Sequence, residues 1–175
     1  MRLGRPVVVA SLACALWSVA LSYAPGTGIT GVTAAAAVDR LNIIDTAITL
    51  TPTAADYAND YIEVTGATGL RVELGTNSNT GCVLFVKCAD AAPAIALADI
   101  LVKTQTAPGT GGTSLTTYTA ISASDLALWS TGVKEPGWAQ INIDVRIKNL
   151  FGYSDGIGGG TTNRTNTLTF TVVAQ

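Results

Sequence analysis

The chain has 175 residues, a length typical of one domain, and its 10 Lys and Arg against 12 Asp and Glu give a formal net charge of −2. It contains no histidine, which excludes Ser-His-Asp and Cys-His nucleophile activation and the usual imidazole ligands of zinc. Only 13% of its residues are charged and 48% are apolar, which argues against a nucleic-acid partner and favours a β-rich extracellular protein. We therefore predict a protein that is not an enzyme, with no catalytic residue, metal site or cofactor.

The first 37 residues have the order of a cleavable secretory signal. Two basic residues precede an almost continuously apolar run from Pro6 to Leu21, which small residues follow. This run is shorter than the ~20 residues of a membrane-spanning helix. The pattern predicts export to the extracellular space or cell surface, with no membrane span in the mature form. Cleavage fits after Ala20 or after Ala37, and the second site, which starts the mature chain at Val38, is favoured.

Residues 38–50 are predicted to be a short N-terminal arm or the first strand. Leu41 and Ile43 share one alternation phase, whereas Ile44 begins the other. A slip of one residue moves side chains to the opposite face, so a bulge or kink near Ile43–Ile44 is expected. Two interpretations follow. The segment is either an edge strand that crosses from one sheet to the other, or a mobile arm joined to the first true strand.

Residues 51–175 are predicted to form one β-sandwich domain, whose first part mixes turns and strands. Residues 54–60 are a polar connection with one helical turn, in which Asp and Asn are expected to cap a turn rather than to bind calcium. The alternating segments 61–65 and 70–74, joined by a Gly-containing turn, predict a hairpin. The segment Cys82–Cys88 is apolar on both faces, which is typical of a central strand.

Later segments are also mostly strands. The sequence predicts a strand from about Ile100, a Thr-rich strand over 115–121 and a corner turn over 124–130. The clearest alternation is in 138–148, and the last residues, 166–175, alternate again. Short strands without repeated helix signals predict an all-β fold, an immunoglobulin-like antiparallel β-sandwich of about seven strands.

Cys82 and Cys88 are the cysteines that remain after the leader is removed. Two cysteines in an exported protein suggest a disulfide. However, a straight strand between them would separate their Cα atoms by about 20 Å, whereas a disulfide needs less than about 7 Å. Three outcomes stay open: the segment folds back to form the bond, the cysteines bridge two subunits, or both remain thiols.

The layout from Val38 to Gln175 resembles bacterial secreted sandwich domains of the pilin and spore-coat-U type. It consists of a leader, an Ala-rich N-terminal stretch, a Thr-rich β-domain and a final Thr-Leu-Thr-Phe-Thr-Val-Val-Ala-Gln. The resemblance implies subunits that polymerise by lending a strand to a neighbour, with an assembly chaperone as a further candidate partner. The spacing of Cys82 and Cys88 departs from common pilins, because the two are too close to span neighbouring strands in the usual manner.

Two functions are therefore predicted as alternatives. The first is a structural subunit of an extracellular filament or surface layer, in which Val38, Leu41, Ile43 and Ile44 form a donor arm that pairs with another copy. The second is a monomeric binding module for carbohydrate or a cell-surface partner. Its binding surface would use the loops 105–114 and 152–164 and the aromatic residues Tyr118, Trp129, Trp138 and Tyr153.

Overall fold

The structure is a computed structural model that describes residues 39–105, 112–153 and 164–175, together with the backbone of 16–23. In chain order its strands are β1 (Leu16–Tyr23), β2 (Asp39–Ile43), β3 (Ala47–Leu50), β4 (Tyr61–Val64), β5 (Leu70–Thr76), β6 (Cys82–Cys88), β7 (Ile100–Thr104), β8 (Thr113–Ser114), β9 (Thr119–Ala120), β10 (Leu126–Thr131), β11 (Glu135–Lys148) and β12 (Arg164–Ala174), and one helix, α1, spans Ala54–Asn59. The predicted all-β class is confirmed.

The strands form two sheets that pack as a sandwich. Sheet A has the order β3-β1-β12-β6-β10-β8, and sheet B has the order β2-β5-β11-β7-β9, with β4 also paired to β11. Neighbours are antiparallel except for β1 and β3, which are parallel. The strand count exceeds the predicted seven for three reasons. Two stretches are each split into two strands, β2 with β3 and β4 with β5. In addition, β8 and β9 are short strands of two residues each, and β1 lies in the predicted leader.

The centres of the two sheets build the core. In β11 the predicted alternation is confirmed, and its inward residues are fully buried: Ile141, Ile143, Val145 and Ile147. In β12 the residues Leu168 and Phe170 are equally buried. As predicted, β6 is a central strand, and β12 also lies between two neighbours inside its sheet.

The predicted kink near Ile43–Ile44 is a crossing between the sheets. Strand β2 belongs to sheet B and β3 to sheet A, so the chain changes sheet over residues 44–46. Asp45 fixes the crossing, because its two carboxylate oxygens accept hydrogen bonds from Nε (2.7 Å) and Nη2 (2.9 Å) of Arg71. The backbone N–H of Arg71 also donates to Asp45, at 3.0 Å. Such a two-pronged contact orients both partners, and it holds the pKa of Arg71 above its ordinary value.

The predicted hairpin over residues 61–74 is wrong. Strands β4 and β5 do not pair with each other, since both lie antiparallel to β11, β4 against Val145–Lys148 and β5 against Glu135–Ile143. They are one interrupted strand. The interruption is a 3₁₀ turn, Gly66–Thr68, whose first residue has a φ of +60° that favours glycine. The N–H of Gly66 donates to the carboxylate of Asp144 on β11 at 2.9 Å.

The predictions for residues 115–130 are also partly wrong. Only Thr119–Ala120 of the predicted Thr-rich strand is a strand, and the predicted corner turn is the strand β10. The pairing of β10 with β6 shifts register between Ala127 and Trp129. Because of this bulge the adjacent residues Leu128 and Trp129 are both buried, which gives an apolar pattern without alternation.

The single turn predicted near residue 56 is the helix α1. Its N-terminus has a capping box, in which Asp56 accepts hydrogen bonds from the N–H and the hydroxyl of Thr53 at 2.7 and 2.6 Å. These bonds lower the pKa of Asp56. Asp60 ends the helix with a φ of +57°. In the part of the chain that the structure describes, no helix is long and apolar enough to cross a bilayer.

Candidate functional site

The candidate site is a slot in sheet A between β3 and β12, which β1 occupies. Residues Leu16 to Tyr23 pair in order with Thr171 to Arg164 of β12. On its other edge β1 pairs with β3, where residues 20–23 lie opposite Ala47–Leu50. The chain's N-terminal strand therefore lies in the interior of the sheet, with a neighbour on each side.

Strand β1 is the link between β3 and the rest of sheet A. Among the described strands, β3 has no other neighbour in that sheet. Without β1, the backbone N–H and C=O groups of β3 and of one side of β12 lose their partners. Such unpaired strand edges recruit another strand. We call the space between β3 and β12 the strand slot.

Strand β12, which borders the slot on one side, is anchored by side-chain hydrogen bonds. Asn166 is fully buried, and its side chain bonds both backbone groups of Ile95, accepting from the N–H at 2.8 Å and donating to the C=O at 2.9 Å. The N–H of Thr167 donates to Asp90 at 2.5 Å. These contacts tie β12 to the chain that follows β6, so this side of the slot has a fixed form.

The residues predicted as a donor arm do not lie in the slot. Leu41 and Ile43 belong to β2, which pairs with β5 in sheet B, and their exposed fractions are 7% and 6%. Ile44 follows β2, and its N–H donates to the carbonyl of Arg71 at 3.0 Å. Val38 lies outside the described residues. Of the two interpretations of this segment, the arrangement in the structure is the strand that crosses between sheets.

Of the three outcomes left open for Cys82 and Cys88, the structure of the single chain has both as free thiols. They form the two ends of β6, and the extended strand between them keeps them apart. Burial raises the pKa of Cys82 to about 12, and the carboxylates of Asp39 and Glu135 add to this effect. Burial also raises the pKa of Cys88. Neither thiol has the exposed, electropositive surroundings of a reactive cysteine.

The four aromatic residues predicted for a binding surface do not share one face. Trp129 is buried in the core, whereas Trp138 is 50% exposed on β11, with the guanidinium of Arg40 at 4.7 Å from its ring centroid. Tyr153 fixes a loop, since its hydroxyl donates to Asp99 at 2.6 Å and accepts from the N–H of Ala96 at 2.9 Å. Of the two predicted binding loops, residues 106–111 and 154–163 lie outside the described ranges.

Tyr118 belongs to a cluster on the outer face of sheet B that the sequence analysis missed. The guanidinium of Arg146 lies 4.3 Å from the ring centroid of Tyr61 and 4.1 Å from that of Tyr118. Its Nε and Nη2 donate to Glu63 at 2.8 and 2.6 Å, and Tyr118 donates to the same carboxylate at 3.0 Å. The outward alternation of Glu63 and Arg146 was visible in the sequence, but the pairing of β4 with β11 was not.

The charged side chains of this cluster are neutralised by partners inside the cluster. Burial alone would raise the pKa of Glu63, but the hydrogen bonds from Arg146 and Tyr118 outweigh it, so that this pKa lies below its ordinary value. Burial and the neighbouring Glu63 raise the pKa of Tyr118. The ammonium group of Lys103 also lies 4.6 Å from the ring centroid of Tyr118, and it pairs with Asp144 at 3.4 Å. The cluster is a stacked cation and aromatic arrangement whose charges are paired.

Comparisons of the chain with protein-family models, with curated proteins and with solved structures found no match.

Proposed function

We propose that the protein is a structural subunit of an extracellular filament or surface layer, in which an N-terminal strand of one copy pairs with the strand slot of the next. The observation that carries this proposal is the position of β1. An N-terminal segment with the composition of a cleavable leader fills an interior position of sheet A. Removal of that segment leaves a sheet that needs a strand from elsewhere.

The chain has enough length to exchange this strand between copies. Fifteen residues, 24–38, separate β1 from β2, and at ~3.3 Å per residue they reach as far as about 50 Å. A strand that enters a neighbour's slot makes a head-to-tail contact. Contacts of this type produce filaments when the rotation between copies does not close them into a ring.

The position of cleavage decides which residues act as the donor. Cleavage after Ala20 leaves 18 residues, 21–38, ahead of β2. Cleavage after Ala37 leaves only Val38, so that the arm with Leu41 and Ile43 would have to leave sheet B. Exposing these two side chains costs about 1.5–3 kcal/mol each. The proposal therefore assigns the donor to the segment before β2 and favours cleavage after Ala20.

The test compares two chain lengths. The proteins Leu21–Gln175 and Val38–Gln175 are purified, their N-termini are verified by mass spectrometry, and both are examined by negative-stain electron microscopy and by sizing. We expect filaments from the longer protein only. The emission of the buried Trp129 reports whether each protein is folded. A folded Leu21–Gln175 protein that stays a monodisperse monomer at high concentration would contradict the proposal, as would equal filaments from both proteins.

A second candidate function is a binding module for carbohydrate, which the half-exposed Trp138 favours. Trp138 lies where the pairing of β11 with β5 shifts register, between Glu135 and Ala139. Its half-exposed indole ring, flanked by Arg40, is a surface on which a sugar ring can stack. The test is a glycan array with the mature protein and its Trp138→Ala variant. Val133→Ala is the matched control, because Val133 is 52% exposed and aliphatic. Sugar binding that Trp138→Ala removes and Val133→Ala preserves would support this function.

A further inference from the structure

Strand β1 does more than show where the slot lies, because it fills the slot of its own chain. We infer that the uncleaved chain is a self-capped monomer, in which β1 closes the strand slot and prevents a strand of a second copy from entering. The inference rests on the proposed function for the identity of the incoming strand. The closure itself rests on the pairing of β1 with β12 and β3.

The extent of the pairing makes β1 an effective cap. It covers eight consecutive residues of β12, from Arg164 to Thr171, and four residues of β3. An incoming strand needs the same backbone groups. Because the two strands compete for one set of hydrogen bonds, and because the cap is attached to its own domain, the cap has the advantage of a high effective concentration.

The register also defines the chemistry of the strand that fits the slot. The incoming strand runs antiparallel to β12 and parallel to β3. The ladder positions of the slot that lie opposite the buried residues Phe170 and Leu168 are two residues apart. Paired residues of an antiparallel ladder lie on the same face. The slot therefore selects an extended segment with apolar residues at alternate positions.

The cap also protects one of its own cleavage sites. Ala20 lies opposite both Thr167 of β12 and Ala47 of β3, so that the bond between Ala20 and Leu21 is inside a paired strand. A protease needs an unpaired segment, which a folded chain offers only by local opening. Cleavage after Ala20 consequently has to precede folding, and a precursor that folds first stays closed.

The experiment uses the full chain, purified without export, with a protease recognition site inserted between Gly28 and Ile29. The probe is a fluorescent peptide of residues 16–23 with added terminal lysines for solubility, and uptake is followed by anisotropy. We expect the intact chain to take up the probe at least tenfold more slowly than the same chain after it has been cut. A probe with Val19→Pro is the negative control, because proline lacks an N–H for the ladder.

A disulfide between β1 and β12 controls for the possibility that cutting the chain speeds uptake by loosening the whole fold. The variant Ala20→Cys with Thr167→Cys, in a Cys14→Ser background, joins a directly opposite pair of β1 and β12, at a Cα separation that suits a disulfide. After cutting, the oxidised variant is expected to stay closed and the reduced one to open. The inference is overturned if the intact chain takes up the probe as fast as the cut chain, or if the disulfide does not slow uptake.

The inference and the proposed function fail in different ways. If the cut chain takes up the probe but no mature protein forms filaments, the cap is supported and the filament is not. If the intact full chain forms filaments readily, the filament is supported and the cap is overturned.

Discussion

The two sheets of the sandwich are completed in different ways. Sheet B is assembled from residues 39–148, and its strands are further joined by side-chain contacts such as Arg146 with Glu63. Sheet A draws its strands from residues 16–174, and an interior position belongs to a segment with the composition of a leader. The comparison shows that one domain can combine a sheet built from a single stretch of chain with a sheet whose interior needs a strand from a distant N-terminal segment.

The largest expected effect comes from deleting β1. The Val38–Gln175 protein loses the ladder hydrogen bonds of both edges of the slot, and at about 0.5 kcal/mol each the loss is on the order of 5 kcal/mol. Hydrogen exchange is the sharpest measurement. We expect the amides of β3 and the β12 amides that face β1 to lose protection. The N–H of Thr167, which donates to Asp90, and the amides of β5 and β11 should keep it. Equal loss in both sheets would remove the distinction between them.

A smaller effect is expected from Asn166→Ala, which changes the wall of the slot. The substitution leaves the N–H and C=O of the fully buried Ile95 without their partner. Unsatisfied buried groups of this kind should lower the free energy of unfolding by about 1–3 kcal/mol. Urea unfolding measures the difference. Thr165→Ala, at the neighbouring exposed position, is the control and should change the free energy of unfolding by less than about 0.5 kcal/mol.

Sheet B should respond to acid through Glu63. The folded-state pKa of Glu63 is depressed, so its stabilising contribution is present above the unfolded-state pKa and is lost as the pH falls through the folded value. Because the pair is partly exposed, Glu63→Gln should cost only about 0.5–1 kcal/mol at pH 7.

Thermal melts at pH 7 and at pH 2–3 check this expectation. The difference between Glu63→Gln and the unmodified protein should shrink at the lower pH. Glu73→Gln, which removes a carboxylate bonded only to the amide of Asn42 among the described contacts, is the matched control. A difference that persists unchanged in acid would show that the ionised carboxylate of Glu63 contributes little.

The last prediction concerns a rate of chemical labelling in β6 and not a change in stability. With its pKa raised to about 12, Cys82 has roughly 10⁻⁴ of its thiol ionised at pH 8, and the thiolate is the reactive form. Iodoacetamide followed by mass spectrometry should modify Cys82 and Cys88 at least 100-fold more slowly in the native Leu21–Gln175 protein than in urea. Rapid labelling, or a bond between these two cysteines, would show that β6 is not the buried central strand.

The sequence was most informative where burial follows a simple period. Ile141, Ile143 and Val145 alternate with polar residues, and they define β11 without any tertiary information. The phase slip at Ile43–Ile44 similarly predicted a kink, and the crossing between sheets was one of its two interpretations. Both are local patterns that depend only on which face of a strand meets the core.

Sequence reasoning failed where the partner strand decides the outcome. The segments on either side of Gly66 look like a hairpin, but both pair with β11. The local sequence does not distinguish a turn between two paired strands from a break within one long strand. Leu128 and Trp129 broke the alternation because a bulge turns both inward. The slot could not be predicted for the same reason: the leader pattern indicates export, and the topology alone places that segment between β3 and β12.

The register of β1 along β12 also has a mechanical consequence. A donated strand in this position would be pulled along its own length by tension on a filament, while the ladder hydrogen bonds lie perpendicular to the strands. The eight residue pairs would therefore be loaded in shear, all at the same time, and would not be peeled apart one after another. Rupture under tension is governed by the rate of unfolding, so a joint loaded in shear would resist stretching better than one whose pairs open in sequence.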